Sequence, residues 1–366
     1  MTAAQTYTIV LDVMGADRGP ESIILGGLEA ARMIGDSLVV ELVGDEDAIQ
    51  KVLDTQDAVP ANVSVRHAEQ EVPMDMAATE GVRLRQSSIA VGIRQVKQGK
   101  AHAFVSPGNT GAVMATSLLT LGRIPGVSRP AITSTFPTST GKPCIVLDVG
   151  ANADCKPQHL SQFAVMGSVY AQVSFRVQAP RVGLISIGEE RSKGNELIFS
   201  ARELLKDSQI NFVGNIEGRD ILSGVVDVAV TDGFTGNILL KFAESIQPML
   251  ATAIKRQIQT NIFSRFGVMM MLPFMRRMKN TFDYAQWGGA PLLGVNGVIV
   301  ICHGSSSAKA IRNAVAGAHR MAQQDITVRL RDELITNHFG IENGSKGKGE
   351  DIGNGVIYTS APDDQR

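Results

Sequence analysis

The chain has 366 residues, 44% of them hydrophobic and 19% charged, with 37 glycines; at roughly 150 residues per domain this is two or three lobes or one large α/β domain, and general disorder is excluded. Lysine and arginine number 35 against 36 carboxylates, a net charge of −1, which removes any global electrostatic case for a nucleic acid partner. Three cysteines without a Cys-x-x-Cys pair argue against a disulfide framework or a zinc knuckle, and no leader-like start or 18-residue apolar run is found, so a cytoplasmic chain without a spanning helix is expected.

Apolar, β-rich runs occur at Tyr7–Val13, Leu38–Val43, Asn62–Arg66, Ala103–Val105, Ala131–Phe136, Cys144–Asp148, Arg181–Ile187, Ile210–Gly214, Val226–Thr231 and Gly297–Ile301. Most are continuously apolar, as buried parallel strands are. Helical patterns lie between them at Pro20–Ile34, Thr79–Gln98, Asn109–Leu121, Lys156–Phe175, Lys193–Leu205 and Ser305–Met321, several opening on proline or a capping residue. The alternation predicts an α/β layered architecture, read as one enzyme domain over residues 1–340 that leaves room for two lobes. From 341 to 366 the glycine- and lysine-rich tail has too little apolar surface to order.

The stretch from Ile246 to Phe282 differs from the rest. Apolar residues recur there at every fourth position, a helical spacing interrupted by Gly267 and Pro273, which predicts a helical hairpin with an apolar tip. It carries Lys255, Arg256, Arg265, Arg276, Arg277 and Lys279 and no carboxylate, a local charge of +6. Such a hairpin suits an anionic membrane surface, with Phe266, Met270, Leu272 and Phe274 at the contact. An oligomer-forming arm whose apolar stripe meets its twin explains the pattern equally well.

Four strand-to-glycine junctions gather polar groups, and ligands of open α/β sheets sit beyond strand C-termini. The first, Ser106-Pro-Gly108-Asn109-Thr110-Gly111, offers hydroxyls and a helix start suited to phosphate, although a capped tight turn would look the same. The second places Asp148, Asn152, Asp154 and Lys156 before a helix; Lys156 would steady a developing negative charge or lie as a surface charge. The third is Gly188-Glu189-Glu190 with Lys193-Gly194-Asn195. The fourth joins Asn215 and Glu217 to Asp232, Asn237 and Lys241, where Asn237 and Lys241 are i and i+4 on one helical face. No dinucleotide fingerprint, Walker loop, esterase elbow or zinc-hydrolase histidine spacing is found. His303 alone among the histidines borders a loop-to-helix junction.

In this order the clusters resemble the phosphate acyltransferases of bacterial phospholipid synthesis, the PlsX family. The resemblance runs from Leu11-Asp-Val-Met14-Gly15-Ala-Asp17 through Ser87-Ser88, Val105-Ser-Pro-Gly108-Asn109-Thr110-Gly111, Leu147-Asp148-Val-Gly150-Ala-Asn152, Lys156-Pro157, Ile187-Gly188-Glu189-Glu190 and Gly214-Asn215-Ile-Glu217 to Thr231-Asp232-Gly233, Pro291-Leu-Leu-Gly294 and His303-Gly304. Two departures stand out: Ala16 and Arg18 where the family usually has glycine and histidine, and Pro107 where alanine is common.

The resemblance implies a three-layer α/β/α sandwich of the isocitrate and isopropylmalate dehydrogenase type with a protruding helical arm, the segment 246–282. It implies transfer of a fatty acyl group from acyl carrier protein to inorganic phosphate, with no cofactor and no metal. A homodimer at the inner face of the cell membrane is implied, its product feeding a membrane-bound glycerol-3-phosphate acyltransferase. In that setting Ser106, Gly108, Asn109, Thr110 and Gly111 are expected to hold phosphate. Lys156, Lys193 or Lys241 would stabilise charge in the transition state, with Asp232 and Asn237 fixing them. Asp148, Asn152, Glu189, Asn195, Asn215, Glu217, His303, Arg265, Arg276 and Arg277 are expected on the acyl carrier side.

Overall fold

The structure, a computed structural model, describes residues 5–17, 19–258, 271 and 286–339. Most of the expected arm, including Arg265, Phe266, Met270, Leu272, Phe274, Arg276 and Arg277, and the tail from 341 lie outside the described residues.

Eleven strands form one sheet among the described residues: β1 (Tyr7–Asp12), β2 (Leu38–Gly44), β3 (Val63–His67), β4 (Ala103–Ser106), β5 (Ala131–Pro137), β6 (Pro143–Leu147), β7 (Val182–Ile185), β8 (Phe212–Ile216), β9 (Val228–Val230), β10 (Ala290–Leu293) and β11 (Val298–Ile301). Their order is β3-β2-β1-β4-β11-β10-β5-β6-β9-β7-β8. The first five are mutually parallel, as are the last four. Between the two blocks, β10 pairs antiparallel with β11 and β5, and β5 antiparallel with β6. Three reversals in succession leave the two parallel blocks running in opposite senses. The expectation of buried parallel strands therefore holds within each block and fails at β5, which is apolar because it is central.

Both faces of the sheet are apolar, and this dictates three layers. Ile9, Leu11, Val105, Ile145 and Leu147 point to one face, with Ile23, Ile24 and Leu28 of α1 (Glu21–Ile34), Leu160 and Phe163 of α6 (Pro157–Phe175), and Ile311 and Val315 of α10 (Ala308–Gln323). Val10, Phe104 and Val146, the alternate positions, point to the other. Ile89 and Ile93 of α4 (Ser88–Lys97) and Ala112 and Val113 of α5 (Thr110–Leu121) cover them there. Each such large side chain, fully buried, contributes about 2 kcal/mol, so neither face tolerates exposure.

The sequence pattern ran one helix through Thr79–Gln98; the structure divides it into α3 (Ala78–Gly81) and α4. Ser87 makes the break, its Oγ accepting from Ala90 N at 3.2 Å as the N-cap of α4. Also unforeseen are α2 (Glu46–Leu53), β10 and α11 (Ile326–Thr336), the last packed on α6. The remaining helices are α7 (Glu196–Lys206), α8 (Asp220–Ser223) and α9 (Gly233–Ile258). Thus the helix that leads into the expected arm starts thirteen residues before Ile246, at Gly233. No helix of the described residues is long and apolar enough to cross a membrane.

Candidate active site

Three loops leave the C-terminal ends of β1, β4 and β11, which are adjacent and parallel. Backbone contacts lock them together. Cys302 N donates to Ser106 O at 2.8 Å and Asp17 N to Gly304 O at 2.9 Å. Gly15, at φ +74°, approaches so closely that a Cβ there would stand 3.0 Å from Gly108 Cα, so glycine is required both for the turn and for the approach. Beneath them lies Asp12, 1% exposed. Its Oδ2 accepts from Ser106 Oγ at 2.7 Å and its Oδ1 from Met14 N at 3.0 Å. Ser106 Oγ in turn accepts from Gly108 N at 3.0 Å. Burial pushes the Asp12 carboxyl up to about 6, against the opposing hydrogen bonds of Ser106, Ser88 and Met14.

Asn109 is the N-cap of α5, with Oδ1 accepting from Ala112 N at 3.0 Å. Its Nδ2 donates to the carbonyls of Pro73, Met74 and Met76 at 3.1, 3.1 and 2.8 Å. The amide is thus engaged at both ends, and Asn109 positions the loop where the sequence pattern had put it on the ligand. The Ser106 hydroxyl is engaged in the same way. What stays open is the first turn of α5: Thr110 is exposed and Gly111 half-buried, and their backbone N–H groups have no acceptor within the helix. With the helix dipole behind them, these donors suit an anion. In the β11 loop, bonded to the β4 loop through Cys302 N, His303 is exposed, its Nδ1 accepting from Ser305 N at 3.1 Å and facing Ser305 Oγ at 2.8 Å.

The opposite parallel block carries the second cluster. Asp148, fully buried, follows β6 and collects five donors. Oδ1 accepts from Ile132 N, Gly150 N and Ala151 N at 3.0, 3.2 and 3.0 Å, and Oδ2 from Asn152 N and Nδ2 at 2.7 and 2.9 Å. Burial still raises its carboxyl above the ordinary range. Asn152 also donates to Pro130 O at 2.7 Å. The start of α9 presses onto this loop, and a Cβ on Gly236 would fall 1.8 Å from Asp148 O. Asp232 caps that helix, accepting from Thr235 N at 2.8 Å and Thr235 Oγ1 at 3.0 Å. The side chains of Asp148 and Asn152, which the resemblance places on the acyl carrier side, are thus engaged in holding this loop. Asn237 is exposed and lies against Gly150.

The lysines differ in their surroundings. Lys241 pairs with Glu244 at 2.9 Å on the outer face of α9, which turns its ammonium along its own helix. Lys156 and Lys193 are exposed and make no ion pair among the described residues. Lys156 precedes α6, and its N–H donates to His159 Nδ1 at 3.1 Å. Lys193 lies in the 188–195 loop, which Asn215 Nδ2 holds by the carbonyls of Glu190 and Lys193 at 3.2 and 3.0 Å. Asn195 caps α7 through Ile198 N at 3.0 Å. Glu189 and Glu217 both face Arg219, at 3.5 and 3.1 Å.

The structure thus joins Ser106, Gly108, Asn109, Thr110, Gly111 and His303 in one loop assembly. Asp148, Asn152, Asp232 and Asn237 form a second, and Glu189, Lys193, Asn195, Asn215 and Glu217 a third. Among the described residues no hydrogen bond or ion pair links the first assembly to the other two. The sequence pattern passed over Asp12 and Ser305. For Asp12 a signal existed, a carboxylate ending a continuously apolar strand, where an unpaired charge would be costly. The thiols of Cys144, Cys155 and Cys302 are each pushed up to about 12 by burial, which leaves them unreactive as nucleophiles.

Comparison with known proteins gives this geometry a context. Residues 7–329 match the model of a family described as fatty acid synthesis protein. A phosphate acyltransferase of Desulforamulus reducens is 47% identical over 338 residues, covering 91% of this chain and 99% of its own length. One from Trichlorobacter lovleyi is 44% identical over 331 residues, covering 90% and 95%. Among solved structures, a phosphotransacetylase from Streptococcus pyogenes superposes with a TM-score of 0.60 at 16% identity, over 87% of this chain and 94% of that one, a likeness of fold. Both the reach of the family match and the level of identity to these relatives place the chain in the fatty acid synthesis protein family, as an enzyme of the phosphate acyltransferase class.

Proposed function

We propose that the chain transfers a fatty acyl group from the thioester of acyl carrier protein to inorganic phosphate, and that the open first turn of α5 is where phosphate sits. The observation that carries this reading is the contrast between spent and unspent donors: Ser106 and Asn109 are consumed in building the loop, which leaves the exposed Thr110 and the half-buried Gly111 to a ligand. Phosphate is already a nucleophile near neutral pH, so the enzyme's tasks are positioning and charge stabilisation. The unpaired Lys156 and Lys193 are the cations suited to the developing oxyanion, and one such donor is worth about 3 kcal/mol.

The chain acts as a homodimer at the inner face of the cell membrane in this reading, and its acyl phosphate feeds a membrane-bound glycerol-3-phosphate acyltransferase. Support comes from the described part of α9, where Phe234, Ile238, Phe242 and Met249 are exposed at helical spacing, an apolar stripe that calls for a covering surface. The basic residues that follow it suit anionic lipid and an acidic carrier protein.

The test is mass spectrometry of acyl phosphate formed from acyl carrier protein thioester and phosphate, without metal or nucleotide. Asn109→Ala, which removes the cap and the three carbonyl contacts that place the loop, should cut turnover on the order of 10²-fold by misplacing the phosphate donors and cost about 1–3 kcal/mol of stability. Wild-type turnover in that variant would remove the α5 loop from the reaction.

A further inference from the structure

We propose that Ser305 and His303 form a proton relay between the two ends of the acyl transfer, taking the proton of hydrogen phosphate and giving one to the departing thiol. The inference rests on the reaction proposed above. Hydrogen phosphate carries a proton that acyl phosphate lacks, and the thiol product needs one that the thioester lacked. Some group must connect them, or water must.

The geometry of the pair assigns the roles. A backbone N–H can only donate, so the Ser305 N–H at 3.1 Å requires a lone pair on His303 Nδ1, and the neutral ring then holds its proton on Nε2. Ser305 Oγ, 2.8 Å from the same nitrogen, is therefore the donor in that contact. Its own lone pairs stay available to accept from a phosphate O–H. Among the described residues nothing else bonds the His303 ring, and the residue is exposed, so Nε2–H is open to a substrate. Location completes the argument: the loop carrying the pair is bonded to the phosphate loop through Cys302 N and Ser106 O, and to the β1 loop through Gly304 O and Asp17 N.

The step balances as follows. A phosphate oxygen bonds to the thioester carbon, and the phosphate O–H proton passes to Ser305 Oγ as the hydroxyl proton of Ser305 passes to Nδ1. The C–S bond breaks with its electron pair going to sulfur, and sulfur takes the Nε2 proton. Acyl phosphate and a neutral thiol result; the ring is left as its Nδ1–H tautomer and returns through water. An alkyl thiol, with a pKa near about 8.5, gains from this protonation. An aryl thiolate is stable enough to leave without it.

The experiment compares acyl carrier protein thioester with a thiophenyl thioester of the same acyl chain, for wild type, His303→Gln and Ser305→Ala, with urea midpoints as a folding control. Both variants should lose on the order of 10²-fold with the alkyl thioester and less with the aryl one, which still needs the phosphate proton removed but not the sulfur protonated. The wild-type chain should show a normal solvent deuterium isotope effect with the alkyl thioester and a smaller one with the aryl, where only the phosphate proton still moves, a readout that stands even if a variant fails to fold. Equal losses with the two leaving groups, no loss in either variant, or isotope effects indifferent to the leaving group would overturn the relay while leaving the transfer reaction in place. A wild-type chain that makes no acyl phosphate from either donor would overturn the transfer reading, and the relay with it.

Discussion

Asp12 ends β1 and Asp148 directly follows β6, in the two opposed parallel blocks, and both are buried, yet they organise their surroundings differently. Asp148 draws five donors into itself, four of them backbone or side-chain groups within four residues and one from Ile132. The backbone N–H groups next to it are spent on the carboxylate, and what the loop still presents is the exposed Lys156 at its far end. Asp12 takes Ser106 Oγ and Met14 N at 2.7 and 3.0 Å, with Ser88 as a further partner, and Ser106 passes the order on to Gly108. Here the carboxylate shapes a loop whose outer donors stay free. A carboxylate saturated by its own loop makes architecture; one that acts through an intermediary hydroxyl can support a site.

The difference is broken most severely at Asp148. Asp148→Ala leaves five donors, three of them buried, without an acceptor, and the expected loss is on the order of 4 kcal/mol, read as a lowered urea midpoint. Asp148→Asn, which keeps an oxygen for part of the set, should lose less. If the alanine variant unfolds at the wild-type midpoint, the loop does not depend on its carboxylate.

Asp12 sharpens the same comparison through pH. Its carboxyl is raised to about 6 in the folded chain, so the folded state binds the proton more tightly than the unfolded one. The stability this lends is fully present below about pH 4 and is lost as the pH rises through about 6, a swing of about 3 kcal/mol. Asp12→Asn has no such proton to lose. The gap between wild type and variant, measured by urea unfolding at several pH values, should shift in favour of the variant across that window. Parallel profiles would mean that Asp12 is solvated or compensated.

How much of this was legible in the sequence follows from the range of each interaction. Continuous apolar runs marked β1, β2, β4 and β6 because burial on both faces is a local property of composition. β10, four residues with a proline at Pro291, is hidden because proline within a short apolar run demotes it as a strand signal, although its neighbours make it central. The order of motifs pointed to the family. The division of labour inside the first motif was hidden, because the partners of Asn109 are carbonyls at Pro73, Met74 and Met76, and those of Asp148 include Ile132. No local pattern announces hydrogen bonds that span 16 to 36 residues. The pairing of Glu189 and Glu217 on Arg219 was equally out of reach.

The smallest effect is expected at Lys241, and it bears on how helical spacing should be read. Positions i and i+4 put Asn237 and Lys241 on one face of α9, but a face has two directions along the axis, and the ammonium lies three residues onward, against Glu244 at 2.9 Å. Both partners are well exposed, at 59% and 42%, so the pair is worth about 0.3 kcal/mol and is screened by salt. Lys241→Ala should therefore move the urea midpoint barely at all and leave the Michaelis constant for phosphate unchanged, whereas Lys156→Ala and Lys193→Ala, which free no ion pair, should divide between them the loss of turnover. A collapse of turnover in Lys241→Ala would mean that the Glu244 pair opens when substrate binds and that α9, not the loops before α6 and α7, supplies the cation for the oxyanion.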